Sequence, residues 1–321
     1  MSVPVIAFFS NKEGVGTTSL VYHLAWMFSD LQVKVLAVDL DPQANLTTAF
    51  VGGTSASLHD LTVYECIRRI LGADTDSSIG QPIGPNLVLL PSDLMLSAFE
   101  EELAMEWQRA QNGDKQAFRI VSAPWRVMRM LAQNHEAQLI LVDLGPNLSS
   151  INRAGLLATD HVVLPLAPDQ FSVLGLEILG STLRKWRGDW RERLTSNPSK
   201  DMELPAGGMK PLGYVVQQPG IAMRTNEDWI NWIPNYYREF VLDAPSTVSV
   251  SIFNDPEKLS VLRPYRTLIP MAQEARKPMF HLKPADGAIG AHLHSAEEAR
   301  KDFDALARAI VAKANLPVTL R

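Results

Sequence analysis

Asn11-Lys12-Glu13-Gly14-Val15-Gly16-Thr17-Thr18-Ser19 is a glycine-bearing loop between two apolar segments. Before it runs Val3-Pro4-Val5-Ile6-Ala7-Phe8-Phe9, which reads as a buried strand. After it runs Leu20-Val21-Tyr22-His23-Leu24-Ala25-Trp26-Met27-Phe28, which reads as a helix. Strand, glycine loop and helix in that order are the layout of a phosphate-binding loop. Gly14 and Gly16 let backbone N–H groups converge on one concavity, and the helix adds its positive N-terminal end. Thr18 holds the hydroxyl position that supports Mg²⁺ in such loops. The position after Gly16, where they carry a lysine, is Thr17.

Further apolar runs follow at Val33–Val38, Leu87–Leu90, Gln138–Val142, His161–Leu166 and Leu212–Val216. They are nearly continuous in apolar residues, as strands covered on both faces must be. Helical spacing falls between them, over residues 58–71, 94–109, 121–134 and 171–186. The alternation predicts an α/β fold, a doubly wound and mostly parallel sheet with helices on both faces. Ligands of such sheets sit at the carboxyl ends of the strands. Residues 73–85, 195–208 and 283–294 read as loops. The last of these holds His292 and His294, a candidate metal pair that lacks a third ligand nearby.

The chain of 321 residues is expected to form a single domain over 1–321, with a C-terminal docking helix over 296–314. A net charge of -5 argues against coating nucleic acid by bulk charge, though not against a local basic patch. Cys66 alone makes no disulfide framework and no cysteine-held metal site within one chain, and reads as a small apolar residue in a helix. No run is long enough to cross a bilayer and no secretory leader stands out, so a cytoplasmic protein with no membrane contact is expected.

Two acidic motifs follow the loop. Val38-Asp39-Leu40-Asp41-Pro42-Gln43-Ala44-Asn45-Leu46-Thr47 stands at a strand end. Alternate carboxylates point to opposite sides of a strand, so one faces a metal shell and the other solvent or an attacking water. A plain strand-end turn opened by Asp-Pro is the competing reading. Leu139-Ile140-Leu141-Val142-Asp143-Leu144-Gly145-Pro146 ends an apolar strand on an aspartate. That is the usual second support of Mg²⁺ in phosphoryl-transfer sites, or else a strand-ending cap.

Together the three blocks resemble the ParA/MinD branch of P-loop ATPases, the deviant Walker A group. That family carries a lysine- and glycine-rich loop, then Val-Asp-x-Asp-Pro-Gln-x-Asn, then an apolar strand ending Asp-x-x-Pro. The resemblance continues through Ala158-Thr159-Asp160-His161-Val162-Val163-Leu164-Pro165 and Pro168-Asp169-Gln170-Phe171-Ser172-Val173-Leu174-Gly175-Leu176. It implies ATP or ADP with Mg²⁺ on Lys12, Glu13, Gly14, Val15, Gly16, Thr17, Thr18 and Ser19. It implies Thr18, Asp39 and Asp143 at the metal. It makes Asp41 the residue that positions the attacking water, and Lys12 the lysine that reaches the phosphates across a nucleotide-sandwich homodimer. Gln217, Gln218 and Pro219 fall where the family places adenine contacts.

The departures are Thr17 for the phosphate lysine, Glu13 for a glycine, and Gly145 for the first proline after the metal aspartate. Losing one preorganised electrostatic partner costs about 2.7–4 kcal/mol of barrier. Lys12, on a flexible stem, is a candidate to compensate in cis. Two functions are therefore weighed. One is an ATP-dependent dimerisation switch in DNA or plasmid partition or cargo positioning, its turnover weakened by Thr17. The other is a catalytically inactive scaffold, nucleotide-gated or nucleotide-free, that binds a partner protein. A cargo or adaptor protein is the expected partner in either case. Iron–sulfur chemistry on the same fold is disfavoured by the single cysteine.

On the last helix, Phe303, Leu306, Ile310 and Val311 form an apolar face, with Arg300, Lys301, Arg308 and Lys313 mostly off it. This is either a docking helix with a solvated side or a basic ridge for non-specific DNA. The proline-bearing tail after it does not suit a membrane helix. The aromatic-rich stretch Trp229-Ile230-Asn231-Trp232-Ile233-Pro234-Asn235-Tyr236-Tyr237 is either a partner face or a helix packed on the sheet.

Overall fold

The computed structural model describes residues 3–52, 58, 60–72, 80–199, 201–217, 223–244 and 249–321, with the side chains of 223–228 left aside. The order is β1 Val5–Phe8, α1 Thr17–Asp30, β2 Val35–Asp39, α2 Asn45–Val51, α3 Val63–Leu71, β3 Gln81–Gly84, β4 Leu87–Leu90, α4 Leu96–Gln111, α5 Lys115–Val121, α6 Ala123–Asn134 and β5 Leu139–Asp143. There follow α7 Ser150–Leu157, β6 His161–Leu166, α8 Gln170–Thr195, β7 Lys210–Gln217, α9 Met223–Tyr236, β8 Lys258–Leu262, α10 Leu268–Ala275 and α11 Ala291–Ala314.

The eight strands form one sheet in the order β3-β4-β2-β5-β1-β6-β7-β8. Every pairing is parallel except β3 with β4. The doubly wound α/β expectation holds. Side chains alternate along a strand, so each central strand feeds two cores. Val5, Ala7 and Phe9 pack on one face with Leu36, Val38, Ile140 and Val142. Ile6 and Phe8 pack on the other with Val35, Ala37, Leu139 and Leu141. That two-sided burial is why these runs read as continuously apolar. α1 and α11 cover the second face, and α4 to α8 with α9 cover the first.

Several boundaries differ from the sequence reading. β3 lies within the expected loop 73–85, because its exposed edge gives it no apolar run. β8, at the other edge of the sheet, has three half-buried residues among its five and was missed for the same reason. α8 runs nine residues past its expected end, to Thr195. α11 starts at Ala291, so His292 and His294 stand on a helix rather than a loop. Among the described residues no group of three His, Cys, Asp or Glu side chains is arranged to hold a metal ion, and the histidine pair has no such set. Cys66 is buried in α3.

α9 carries Pro234 inside it and widens into a π-helical turn at Tyr237–Val241. That turn sits directly on Gly180 of α8, where an added Cβ would land on the Phe240 carbonyl. Ile233 and Tyr237 are fully buried, while Trp232 is 46% exposed. The aromatic stretch thus both packs on the sheet and shows one ring to solvent. No helix among the described residues is long and apolar enough to cross a membrane.

Candidate nucleotide-binding site

β1 ends at Phe8 in a central position of the sheet, and the chain turns through residues 9–16 before α1 begins at Thr17. Gly16 has φ +82° and caps α1 with no side-chain hydrogen bond. An L side chain there would be strained, and its Cβ would lie 2.5 Å from Gln217 Oε1. The first helical N–H groups have no intrahelical acceptor and open onto a cavity of about 340 Å³. Lys12, Glu13, Gly14, Gly16, Thr17 and Thr18 line it from the loop, with Asp41, Gln43 and Asn45 from the β2–α2 turn and Pro146 from beyond β5. The expected cradle and the expected acidic strand tips do meet. Val15 points inward and is buried, and Ser19 faces a second cavity beside Gln217 and Tyr265, so neither side chain lines the cradle.

The register explains the meeting. Asp39 on β2 is paired with Asp143 on β5, and Asp143 is paired with Phe8 on β1. Both carboxylates are fully buried. Their environments differ. Asp39 Oδ2 accepts from the Thr47 N–H at 2.8 Å and the Thr47 hydroxyl at 2.7 Å, and Oδ1 accepts from the Asp41 N–H at 3.1 Å. The Thr47 hydroxyl oxygen in turn accepts from the Ser92 N–H at 2.9 Å. Asp39 therefore braces the turn with both oxygens. Burial pushes its carboxyl up to about 7 against those hydrogen bonds.

Among the described residues no hydrogen bond of normal geometry reaches either oxygen of Asp143. Burial raises its carboxyl well above the usual range, the Asp39 charge adds to the rise, and the Thr18 side chain beside it draws it back. An unpartnered buried carboxylate next to a helix-first-turn hydroxyl is chemically matched to a hard divalent cation. Thr18 and Asp143 thus fit Mg²⁺, and Thr18 lines the cavity that would take the phosphates.

Asp41 stands at the rim, its Oδ1 accepting from the Gln43 N–H at 3.0 Å. Burial raises its carboxyl and the charge of Glu13 raises it further. A Cβ at Gly145 would lie 3.3 Å from Asp41 Oδ1. The glycine that replaces the family's proline leaves that space to the Asp41 side chain. Asn152 was not singled out from sequence. Its Nδ2 donates to the carbonyls of Gly145 at 2.8 Å and Asn147 at 2.6 Å, tying down the loop after β5.

Lys12 does not turn in to replace the missing lysine. Its Nζ pairs with Asp169, the N-cap of α8, and lies 5.9 Å from the Phe171 ring. In the sequence Asp169 stands within the block from Pro168 to Leu176, and nothing local marks it as the partner of Lys12. Gln217 does reach the loop, donating from Nε2 to the Gly16 carbonyl at 3.0 Å. Gln218 and Pro219 lie outside the described residues.

The four cations expected on the last helix each stand near a carboxylate. Lys301 pairs with Glu298 at 2.8 Å, Arg308 with Asp304 at 2.9 Å and Lys313 with Glu257 at 2.7 Å, while Arg300 stands 3.5 Å from Asp30.

An AAA domain family model matches residues 3–196, which is more than half of the chain and contains the loop, Asp41 and Asp143. The chain belongs to the ParA/MinD-like P-loop ATPase family. Among its relatives, the chromosome partitioning protein ParA of Caulobacter vibrioides is 27% identical over 190 residues, 59% of this chain and 66% of that protein. The sporulation initiation inhibitor protein Soj of Bacillus subtilis is 28% identical over 182 residues, 56% of this chain and 64% of Soj. The chain thus spans just under two thirds of the length of these ParA-like relatives. Cyanothece McdA, solved in complex with ATP, shares the fold over the full length of both chains, with a TM-score of 0.65 at 17% identity. A plasmid partition protein of Borrelia burgdorferi bound to AMPPNP does so over 98% of this chain and all of its own, at 0.61 and 16%.

Proposed function

We propose that this chain is a nucleotide-dependent switch of the partition and positioning type, dimerising around Mg²⁺–ATP held between β1 and α1. One observation supports this above the others. A fully buried Asp143 carboxylate stands beside Thr18 at the open N-terminus of α1, and no hydrogen bond of normal geometry from the described residues reaches it. A fold that needed only stability would not retain an uncompensated buried acid.

Backbone N–H groups of residues 14–18 and the N-terminal end of α1 would bind the phosphates. Thr18 and Asp143 would hold the cation, which would neutralise charge developing on the transferred phosphoryl group. Asp41, at the rim with a raised carboxyl, would orient the attacking water. Lys12 would exchange Asp169 for a phosphate of the facing protomer, so that dimer formation and release of the N-cap of α8 occur together. Relatives named for chromosome partitioning and sporulation control support a cargo-positioning role.

A second reading is favoured by Thr17 and by the Lys12–Asp169 pair, which ties the lysine lining the cradle to a carboxylate. Here the chain binds nucleotide weakly or not at all and serves as a scaffold for a partner protein. Turnover of radiolabelled ATP with Mg²⁺ separates the two. Measurable turnover abolished by Asp41→Ala supports the switch. Turnover that arises only in Thr17→Lys supports the scaffold. Absence of ATP binding by calorimetry defeats every nucleotide-dependent version.

A further inference from the structure

We propose that a cleft beyond the end of α2, separate from the nucleotide cradle, binds a small aromatic carboxylate, with its anion on Arg276 and its ring against Trp26 and Phe50.

The cleft has a volume of about 520 Å³. Trp26 lines it from α1, Phe50 and Gly52 from the end of α2, Gln81 and Ile83 from β3, and Arg276 from the end of α10. α2 divides it from the cradle. Asn45, the first residue of α2, lines the cradle, and Gly52, just past its last, lines the cleft. Seven helical residues span about 10 Å, so the two sites are distinct.

Two unusual backbone positions set the guanidinium in place. Arg276 caps α10 in the left-handed region at φ +52°, where glycine is the usual residue. Gly52, itself at φ +60°, leaves the notch that the guanidinium fills, because an added Cβ there would land on it. The next residue, Lys277, is paired with Asp286. Among the described residues no salt bridge and no side-chain hydrogen bond engages Arg276. Backbone strain that delivers an unpaired cation to a cleft points to a ligand rather than to a stabilising contact.

The rings in the cleft are buttressed. His281 meets Trp26 edge-on at 5.6 Å, and a Cβ added at Gly84 of β3 would lie 3.5 Å from the indole. Phe50 stands 6.4 Å from Trp26 and is propped by Tyr22 at 4.7 Å. Fixed rings offer a flat ligand an apolar wall at little entropic cost.

The chemistry selects the anion. A guanidinium takes a carboxylate on two parallel N–H donors. Arg276 is the one basic side chain among the described residues that line the cleft. α2 ends at Val51, and the negative end of its dipole disfavours a multiply charged phosphate there. The volume is that of a small-molecule site.

Fluorine NMR of 4-fluorobenzoate, 4-fluorophenylacetate and 5-fluoroindole-3-acetate, each titrated with the full chain, tests this. At least one signal should broaden with wild type, and its uncharged amide should bind roughly tenfold more weakly. Arg276→Ala is expected to weaken the carboxylate roughly tenfold and to leave the amide unchanged, which separates a lost anion contact from a lost fold. Gly52→Ala, which displaces the guanidinium, should act in the same direction. Arg276→Lys should retain part of the binding, and Trp26→Leu should weaken acid and amide alike. The proposal is overturned if none of the three carboxylates broadens, if Arg276→Ala binds them like wild type, or if acid and amide bind equally. Competition by Mg²⁺–ATP would put the probe in the cradle and would also overturn it.

Discussion

Replacing Asp143 by Asn should make the nucleotide-free protein more stable and remove its hold on Mg²⁺–ATP. The Asp143 carboxyl is fully buried, receives no hydrogen bond of normal geometry from the described residues, and is paired in register with Asp39. Burial raises its proton affinity above that of the unfolded chain, and Asp39 raises it further. Over the pH range from about 4, where an unfolded aspartate ionises, up to the raised native value, the native state holds a proton that the unfolded state has lost. Stability contributed at low pH is therefore withdrawn as pH rises, at up to about 1.4 kcal/mol per pH unit for one proton. Asn has the same shape and no charge, so it abolishes that slope. The variant should be near wild type at pH 4.5 and ahead by about 1–3 kcal/mol at pH 8, the usual cost of an unsatisfied buried group. Urea denaturation at several pH values, without nucleotide, measures the gap, and calorimetry with Mg²⁺–ATP measures the loss of binding. A variant less stable than wild type at pH 8 would show that Asp143 is held by compensating contacts, and the cation-site argument would fail with it.

Gly16→Ala should lose about 1–2 kcal/mol from its left-handed backbone, and should displace Gln217 from the loop, visible as weakened nucleotide binding. Gly180→Ala pushes a methyl into the backbone of the π-helical turn at Phe240 and should cost about 1–3 kcal/mol in urea melts, while Gly188→Ala, with open space around it, should be near neutral or stabilising. His23 is fully buried, its Nε2 accepting from the Met279 N–H at 3.1 Å, and burial lowers its pKa to about 4. The unfolded histidine takes up a proton below about 6.5 and the native one does not, so stability should fall as pH drops from 6.5 to 4, by up to about 3 kcal/mol. His23→Gln should lack that acid limb, and an unchanged pH profile in the variant would refute the assignment.

The fold was legible because its main strands are buried on both faces. Six apolar runs gave six strands, while β3 and β8 escaped notice because strands at the two edges of a sheet need not be apolar. The glycine loop, Thr18, Asp41 and Asp143 were legible because strand-to-helix junctions leave local marks in glycine, hydroxyl and acid spacing. Sequence spacing also put four cations on α11, yet their neutralising partners include Asp30 and Glu257, far along the chain. Whether a charge stands alone depends on what packs opposite it, and no local pattern carries that. The same reason separates the two buried aspartates. Both end an apolar strand, but only the arrangement of β2, α2 and β5 gives Asp39 the hydrogen bonds of Thr47 and leaves Asp143 bare beside Thr18. Lys12 is identical in type to the lysine a phosphate loop needs, and its pairing with Asp169 came from the approach of α8. Residue order sets which groups are available, and long-range packing sets which of them are already spoken for.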